Sequence, residues 1–226
     1  MRVHVTPEVR ALGLHHVRVW RLSSDRPLLA DDGLSADRVR ALYDDASPLP
    51  EGYRKLLAEL GHPDSVPAGE RLRELVRTRG FGSHGAVVDA VTAATLRYGA
   101  GIGLHRPGPA GPGPLVVARA AGGERIVPAF STRSKPVPAG DLVYGLRAAD
   151  GTFEPFAWLG RRDCDAADWQ LRPDDTEALV VVLGCPGQGA DHSDAIGQTL
   201  RDVLAEARPD VVFEEVTTEE ATTEER

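Results

Sequence analysis

Residues 80–106 read GFGSHGAVVDAVTAATLRYGAGIGLHR and give the clearest indication of how this chain folds. In the middle of this stretch, apolar residues recur at the spacing of one helix face, which predicts a helix over Ala86–Tyr98. Gly99 follows as a typical helix end. The glycine-rich residues after it predict a tight loop that ends at His105.

The same stretch places several chemically useful groups close together in the sequence. A Gly/Ser/His turn offers backbone N–H groups, the predicted helix carries a carboxylate, and the glycine loop ends in an imidazole. We expect these groups to converge on one small ligand, whereas the alternative is a capped helix beside a solvated histidine. The residues of this candidate site are Ser83, His84, Gly85, Asp89, Thr92, Gly101, Gly103 and His105.

Upstream of this stretch, the sequence predicts one strand and three helices. Residues 14–22 alternate apolar and polar side chains, as in a half-buried strand. Ser35 is a predicted N-cap, Pro50 is a predicted helix start, and a third helix covers Ala68–Arg79. Its expected buried residues are Leu72, Leu75 and Val76.

Downstream, the hydrophobic period changes from that of helices to that of strands. Residues 106–114 read RPGPAGPGP, which predicts a loop. The apolar run at 178–183 predicts a central strand, and Ser193 predicts the cap of a helix that reaches residue 207. Residues 149–151 predict the turn of a hairpin. The other expected strands are 115–119, 125–130, 142–146, 152–158 and 211–213.

The order of elements, with helices early and strands late, favours an α+β fold over strict βαβ alternation. We predict a mixed β-sheet that is curled towards a barrel-like core and packed by the helices. Residues 1–208 form the predicted single domain. Residues 209–226 are expected to form a short edge strand followed by a disordered acidic tail.

The charge of the chain excludes some classes of partner. The 226 residues carry 26 lysines and arginines against 34 aspartates and glutamates, a formal net charge of −8. Seven acidic residues lie in 209–226, so the remainder is nearly neutral. DNA binding by counterion release is not expected, but a shaped RNA contact stays open. The absence of a membrane-spanning run and of a signal peptide predicts a cytoplasmic protein.

Common chemical motifs are absent from the sequence. It contains no GxxxxGK[ST], HExxH or GxSxG pattern, and the glycines at 99–103 follow a predicted helix rather than a strand. Cys164 and Cys185 have no second thiol nearby and predict neither a disulfide framework nor a metal site. No cofactor or metal is therefore expected.

Three motifs, taken in order, match the pattern of a known family. The first has the form Gly-x-x-Ser-Ile-Asn-x-(apolar)-Val-Asp, then a helix, a glycine and a histidine-containing loop. Residues 140–144 (GDLVY) and 173–179 (PDDTEAL) match the two others. Together they resemble the B3/B4 editing domain of the phenylalanyl-tRNA synthetase beta chain, and more closely the stand-alone proteins that contain it. The first motif is matched at Gly80, Ser83, Val88, Asp89, Gly99 and His105.

The resemblance covers most of residues 6–207 and implies a B3/B4-like fold. It also implies a trans-acting aminoacyl-tRNA deacylase, an editing hydrolase in which water cleaves the ester between a wrong amino acid and the terminal ribose. The partner would be the acceptor end of aminoacyl-tRNA. In such a site His105 would be the catalytic residue that positions the water, or would bind the terminal adenosine, and Asp89 would hold the loop.

The chain departs from the family pattern at positions that bear on the substrate. His84 and Gly85 replace an Asn-Pro or Asn-x pair, and Thr92 stands where Asn is frequent. The acidic residue of the family near the end of the apolar strand falls on Val182 or Leu183.

Two functions are alternatives to the deacylase. They are an aminoacyl-tRNA-dependent acyl transferase in specialised metabolism and a non-catalytic tRNA-binding module.

Two groups of arginines are candidates for binding tRNA. Arg73 and Arg77 belong to the third predicted helix, where the alternative is a solvated helix face. Arg161 and Arg162 lie near Trp158 and Trp169 in the sequence, as in a stacking platform with a basic rim. For this second group the alternative is a pair of buried tryptophans.

Overall fold

A computed structural model describes residues 1–30, 33–44, 48–107, 113–161 and 163–217. The predicted disordered tail from residue 218 onwards lies outside the described residues. The helices are α1 (Pro7–Ala11), α2 (Ala36–Asp44), α3 (Gly52–Glu59), α4 (Ala68–Arg79), α5 (Ala86–Tyr98) and α6 (Ala190–Ala207). The strands are β1 (Val3–Val5), β2 (Arg18–Ser23), β3 (Ile102–His105), β4 (Leu115–Arg119), β5 (Arg125–Ile126), β6 (Lys135–Pro136), β7 (Leu142–Arg147), β8 (Phe153–Leu159), β9 (Cys164–Asp165), β10 (Glu177–Val182) and β11 (Val212–Glu215).

The strands pair into two main sheets and one small ribbon. The first sheet has the order β1-β4-β7-β8-β9, with β1 parallel to β4 and the other pairs antiparallel. The second sheet has the order β11-β2-β10-β3 and is antiparallel throughout, and β5 pairs with β6 in the ribbon. These sheets confirm an α+β fold with a mixed sheet. The pairings between described residues do not close a barrel.

Strand β10 is buried on both faces. Ala178, Val180 and Val182 pack against α2, α5 and α6, whereas Val181 belongs to the core between the two sheets. A strand that is covered on both faces needs a continuous apolar sequence instead of an alternating one. The prediction of a central strand at 178–183 is confirmed, because β10 lies between β2 and β3. The protein therefore has three layers, which are the helices α2, α5 and α6, the second sheet and the first sheet. Val9 of α1 and Leu56 of α3 belong instead to the core on the side of the first sheet.

Close approaches at glycines bring the helices near to their neighbours. A side chain at Gly197 of α6 would overlap the ring of Trp20. A side chain at Gly69 of α4 would overlap the backbone of Gly99, which ends α5 in the left-handed conformation with φ of 71°. The predicted bounds of α4 and α5 are confirmed. No helix in the described ranges is long and apolar enough to cross a membrane.

Two helix predictions need correction. Ser193 does not cap α6, which begins at Ala190, because its buried hydroxyl donates to the carbonyl of His16 at 2.8 Å. Leu75 is 45% exposed, since α4 contacts the core through a narrow stripe on another side of the helix. By contrast, Ser35 accepts a hydrogen bond from the backbone N–H of Arg38 at 3.1 Å, as its predicted role as a cap requires.

The structure corrects the prediction for two segments and adds three short strands that the sequence did not predict, β1, β6 and β9. The residues before His105 form strand β3 instead of a loop, because their backbone groups pair with β10. The strand predicted at 125–130 shrinks to the two residues of β5, and Pro128 just beyond it has no N–H to donate. The predicted hairpin between β7 and β8 and the edge strand β11 are confirmed.

A buried arginine ties the end of α6 to β2 and β11. Arg208 is fully buried and donates to both carboxylate oxygens of Asp210, to the carbonyl of Pro27 and to the hydroxyl of Ser24. Hydrogen bonds from Arg208, Arg26 and Ser24 hold the pKa of Asp210 well below its usual range. The cluster fixes where β11 joins the second sheet.

We expect Arg208→Ala to lower the free energy of unfolding by about 3 kcal/mol, because it removes the buried partner of Asp210. Arg40→Ala, at an exposed arginine of α2, is the matched control and should change stability by less than about 0.5 kcal/mol. Urea denaturation followed by circular dichroism measures both variants. Since the folded state lowers the pKa of Asp210, this stabilisation is complete above about pH 4 and is lost as the pH falls further. Equal stability of the two variants at neutral pH would contradict the prediction.

Candidate functional site

A cavity of about 210 Å³ lies between the two sheets, beside β3 and β8. Most of its wall is apolar, which suits a small organic group. The aromatic and aliphatic side chains of the wall are Tyr53, Leu56, Leu57, Pro67, Ala68, Ile102, Tyr144, Ala157, Trp158, Leu159, Val181 and Leu183. The remaining wall is formed by Gly99, Gly101, Gly103, Asp163, Cys164, Asp165 and Gly184.

Two carboxylates on and beside β9 bring charge to this apolar cavity. Asp163 pairs with Arg71 of α4 at 3.0 Å, and burial raises the pKa of Asp163. Burial, together with the charge of Asp163, raises the pKa of Asp165 to about 6. Asp165 therefore changes its charge near neutral pH, as a general base would. Among the described residues, no cluster of three or more His, Cys, Asp or Glu is arranged to hold a metal.

A buried histidine positions the hydroxyl group of Tyr144, which lines the cavity. The Nε2 atom of His105 lies 2.7 Å from the hydroxyl oxygen of Tyr144 and 4.0 Å from a carboxylate oxygen of Asp165. His105 is fully buried, and burial lowers its pKa to about 3, so the imidazole is neutral at physiological pH. The Nδ1 atom of His105 has no hydrogen-bond partner among the described residues. A side chain at Gly103 would overlap both the Tyr144 hydroxyl and the imidazole.

Rings packed behind the histidine fix its orientation. The ring of Phe156 lies 4.8 Å from that of His105 and is stacked on Trp169 at 4.0 Å, measured between ring centroids. Trp158, on the cavity wall, donates its indole N–H to Asp141 at 2.7 Å. The wall and the hydroxyl are thus held in place before any ligand arrives.

The structure divides the sequence-predicted site into two groups. Gly101 and Gly103 line the cavity, while His105 lies behind Tyr144 and does not line it. Helix α5 has 13 residues and so separates its two ends by about 20 Å. The second group lies at the N-terminal end of α5, on a separate depression lined by Leu29, Gly33, Ser83, His84, Gly85 and Val88.

Asp89 organises this second group. Its buried carboxylate accepts hydrogen bonds from the Ser83 hydroxyl, the His84 N–H at 2.8 Å and the Leu34 N–H at 2.9 Å. These bonds hold the turn before α5, which is the role that the sequence resemblance implied for this residue. Thr92 is half-buried midway along α5 and lines neither cavity.

The two predicted tRNA-binding arginines of α4 differ in their hydrogen-bond partners and in their exposure to solvent. Arg73 donates to the carbonyls of Leu96 and Arg97 at the end of α5, and burial lowers its pKa. Arg77 is exposed and pairs with Glu74 on the same helix.

The second predicted group of arginines does not stand beside two exposed indoles. Arg161 is exposed next to the cavity residues, and Arg162 lies outside the described residues. Trp169 is fully buried in the stack on Phe156, and Trp158 is half-buried in the cavity wall, so these tryptophans form no exposed platform.

Sequence reasoning missed the polar residues of the cavity. Tyr144 was noticed only as part of a strand motif, and Asp163 and Asp165 were not noticed. Their spacing of two residues, with Asp165 on a short strand and Asp163 just before it, was the available signal for side chains on one face. Of the two positions aligned with the acidic residue of the family, Leu183 lines the cavity and Val182 packs against the helices.

Comparisons with known proteins support the fold. No family model matches the chain, and no curated protein matches it in sequence. The structure is similar to that of an N-terminal fragment of the phenylalanyl-tRNA synthetase beta subunit from Pyrococcus horikoshii, with a TM-score of 0.51 and 10% sequence identity. The match covers 96% of this chain and 51% of that fragment, so the chain spans about half of its length. The resemblance predicted from the sequence is confirmed at the level of the fold.

We expect Gly103→Ala to destabilise the protein by about 1 to 3 kcal/mol, because the new methyl group would separate Tyr144 from His105. Gly101→Ala is the matched control, since its methyl group would meet only Ala68, at 4.0 Å. Thermal unfolding measures both variants. A Gly103→Ala protein as stable as Gly101→Ala would contradict the close approach described above.

Proposed function

We propose that the protein is a trans-acting aminoacyl-tRNA deacylase that hydrolyses the ester of a mischarged or nonproteinogenic aminoacyl-tRNA. The proposal depends on one observation, which is that the same apolar cavity is lined by the Asp165 carboxylate and the Tyr144 hydroxyl. Both groups lie within 4.0 Å of the same nitrogen of His105. The fold shared with a synthetase fragment supports tRNA as the carrier of the acyl group.

In this proposal the cavity binds the aminoacyl group. Its apolar wall takes the side chain of the amino acid, and the carboxylates of Asp163 and Asp165 lie where the charged amino group and the ester need polar partners. The ribose and the rest of the tRNA stay outside. Because Arg71 binds Asp163 from α4, this arginine stands at the rim, where a phosphate of the terminal nucleotides would compete for it.

Tyr144 stabilises the transition state in this mechanism, and His105 is its positioning residue. A neutral imidazole carries one ring proton. If that proton is on Nε2, the unpaired Nδ1 atom is a hydrogen-bond acceptor. Burying an unpaired acceptor costs less free energy than burying an unpaired N–H, so this tautomer is favoured. The Nε2–H then donates to the oxygen of Tyr144, and the tyrosine O–H is free to donate to the ester carbonyl as that oxygen gains negative charge.

Asp165 acts as the general base. It takes a proton from the water whose oxygen bonds to the carbonyl carbon, and the bond from this carbon to the ribose oxygen breaks. The same proton passes to the ribose oxygen, so the products are a free amino acid and the intact tRNA. A pKa of about 6 leaves Asp165 ionised at neutral pH and still basic enough to accept the proton.

A groove next to the cavity favours a second candidate function, which is acyl transfer. It has a volume of about 530 Å³ and lies along α4, and it includes Arg71, the partner of the cavity residue Asp163. An amine or hydroxyl bound there would replace water as the acceptor. The lining residues are Tyr43, Leu49, Val66, Glu70, Arg71, Arg73, Glu74 and Arg77.

We expect the protein to release the amino acid selectively from one mischarged species in a panel of labelled aminoacyl-tRNAs. Tyr144→Phe should lower this rate by about 100-fold, because it removes the donor to the carbonyl oxygen. Tyr98→Phe is the matched control, since its hydroxyl contacts Thr199 away from the cavity. If every aminoacyl-tRNA ester stays intact, the deacylase is contradicted. If an ester is lost only when an amine or hydroxyl acceptor is present, the result indicates the transferase.

The pH dependence of the rate tests Asp165 separately. Asp165 acts as a base only when it is ionised. The hydrolysis rate above the uncatalysed background should therefore increase with pH, with a midpoint at about pH 6. Asp163→Asn removes a neighbouring negative charge and should move the midpoint to lower pH. Asp165→Asn should abolish this dependence, and an unchanged profile in that variant would remove Asp165 from the mechanism.

A further inference from the structure

The loop between β5 and β6 exposes an aromatic ring in a strained backbone conformation. The side chain of Phe130 is fully exposed. Its φ of 60° is the one positive value at a non-glycine residue within the described ranges. Positive φ is disfavoured for a bulky residue, and an exposed phenylalanine loses the benefit of burial. Two unfavourable features at one residue point to a function for that residue.

Hydrogen bonds hold the loop on both sides of this ring. The N–H of Ala129 donates to the carbonyl of Asp165 at 2.8 Å, and the N–H of Ser131 donates to the carbonyl of Pro128 at 3.0 Å. Pro128 also forms a β-bridge with Ala166. The ring is therefore presented by a fixed turn that is attached directly to the cavity strand β9.

The loop that carries the ring has a net positive charge. Residues 125–140 contain Arg125, Arg133 and Lys135 and no acidic residue, in a protein with a formal charge of −8. All three cations are exposed, and in the described part of the chain none of them forms an ion pair. The nearby carboxylate of Glu124 is instead engaged by the N–H groups of Ala121 and Gly122.

The loop also lies close to the cavity. Ala129 bonds the backbone of Asp165, which lines the cavity. Lys135 is near enough to Cys164, another lining residue, for its charge to oppose the rise in the pKa of this thiol that burial causes. If an acyl group occupies the cavity, the nucleic-acid strand attached to it would thus pass close to the loop that carries Phe130.

We propose that Phe130, with Arg133 and Lys135, forms a stacking platform for an unpaired base of a single-stranded RNA end whose acyl group enters the cavity. The identity of this RNA as an aminoacyl-tRNA rests on the proposed function. An aromatic ring flanked by cations is the pattern by which proteins bind single strands, through base stacking and phosphate contacts. A protein partner would instead call for further exposed apolar side chains around the ring. The apolar residues just before it, 127–129, are half-buried, and the residues that follow it are Ser131, Thr132, Arg133 and Ser134.

The test compares two RNA hairpins that differ only in an unpaired 3′ extension. We expect the protein to bind the extended hairpin more tightly than the blunt one in fluorescence anisotropy titrations. Phe130→Ala should weaken binding of the extended hairpin by about 5- to 150-fold and leave the blunt hairpin unaffected. Phe130→Trp keeps a stacking ring and should retain the affinity. Val212→Ala is the matched control at another exposed apolar residue.

The cations are tested through the salt dependence of binding. Arg133→Gln and Lys135→Gln should each reduce the slope of log affinity against log salt concentration by about 0.7, as expected for one lost contact with a single-strand phosphate. Unchanged slopes in both variants would remove these side chains from the RNA contact.

The outcomes separate this inference from the deacylase. If Phe130→Ala loses affinity for the extended hairpin while no ester is hydrolysed, the platform stands and the deacylase does not. If esters are hydrolysed and Phe130→Ala changes neither the KM nor the hairpin affinity, the platform is overturned and the deacylase stands. Equal affinity of the unmodified protein for the two hairpins also overturns the platform.

Discussion

The burial of β10 on both faces is the constraint on which the rest of the structure depends. One face needs the helices α2, α5 and α6, and the other needs the first sheet. A strand of this kind stays within the protein only if both layers are present, so neither half of the chain forms a complete core alone. The cavity lies at the boundary of this arrangement, between β3 and β10 of one sheet and β8 and β9 of the other.

The polar groups placed at this boundary oppose folding. A fully buried imidazole with an unpaired nitrogen loses hydrogen bonds to water on folding, and a carboxylate with a raised pKa is less stable as an ion in the folded protein than in water. A purely structural core would gain stability from an apolar residue at His105, and Asp165, whose side chain is 40% exposed, is not needed to fill that core. Their presence next to a preformed cavity is therefore typical of a site that binds or reacts with a ligand.

Local signals in the sequence were sufficient for the helices α2 to α6 and the central strand, but not for the short helix α1. The bounds of α4 and α5 follow from apolar spacing and terminal glycines, and the position of β10 follows from its unbroken apolar run. Strand β3 was missed because a glycine-rich segment resembles a loop until its pairing with β10 is known. Arg73 was predicted to face tRNA, yet its hydrogen bonds to the end of α5 depend on how two helices pack, which no local pattern records.

The candidate site was less predictable because it is assembled from distant parts of the chain. His105 and Tyr144 are 39 residues apart, and the spacing of glycines around His105 does not indicate a tyrosine partner. Gly101, Gly103 and His105 lie on or next to strand β3. The predicted bounds of α5 already imply that this helix holds them about 20 Å from the turn at Ser83, so the expected convergence on one ligand conflicts with the predicted helix itself.

The contact between Gly69 and Gly99 has a consequence for selectivity. It joins the start of α4 to the end of α5, and the hydrogen bonds of Arg73 reinforce the same junction, so Ala68 and Gly99 form a rigid part of the cavity wall. A wall that does not yield excludes a side chain larger than the space available, whatever its chemical character. Under the proposed function, this wall would exclude bulky amino acids by steric repulsion and leave finer discrimination to the polar groups.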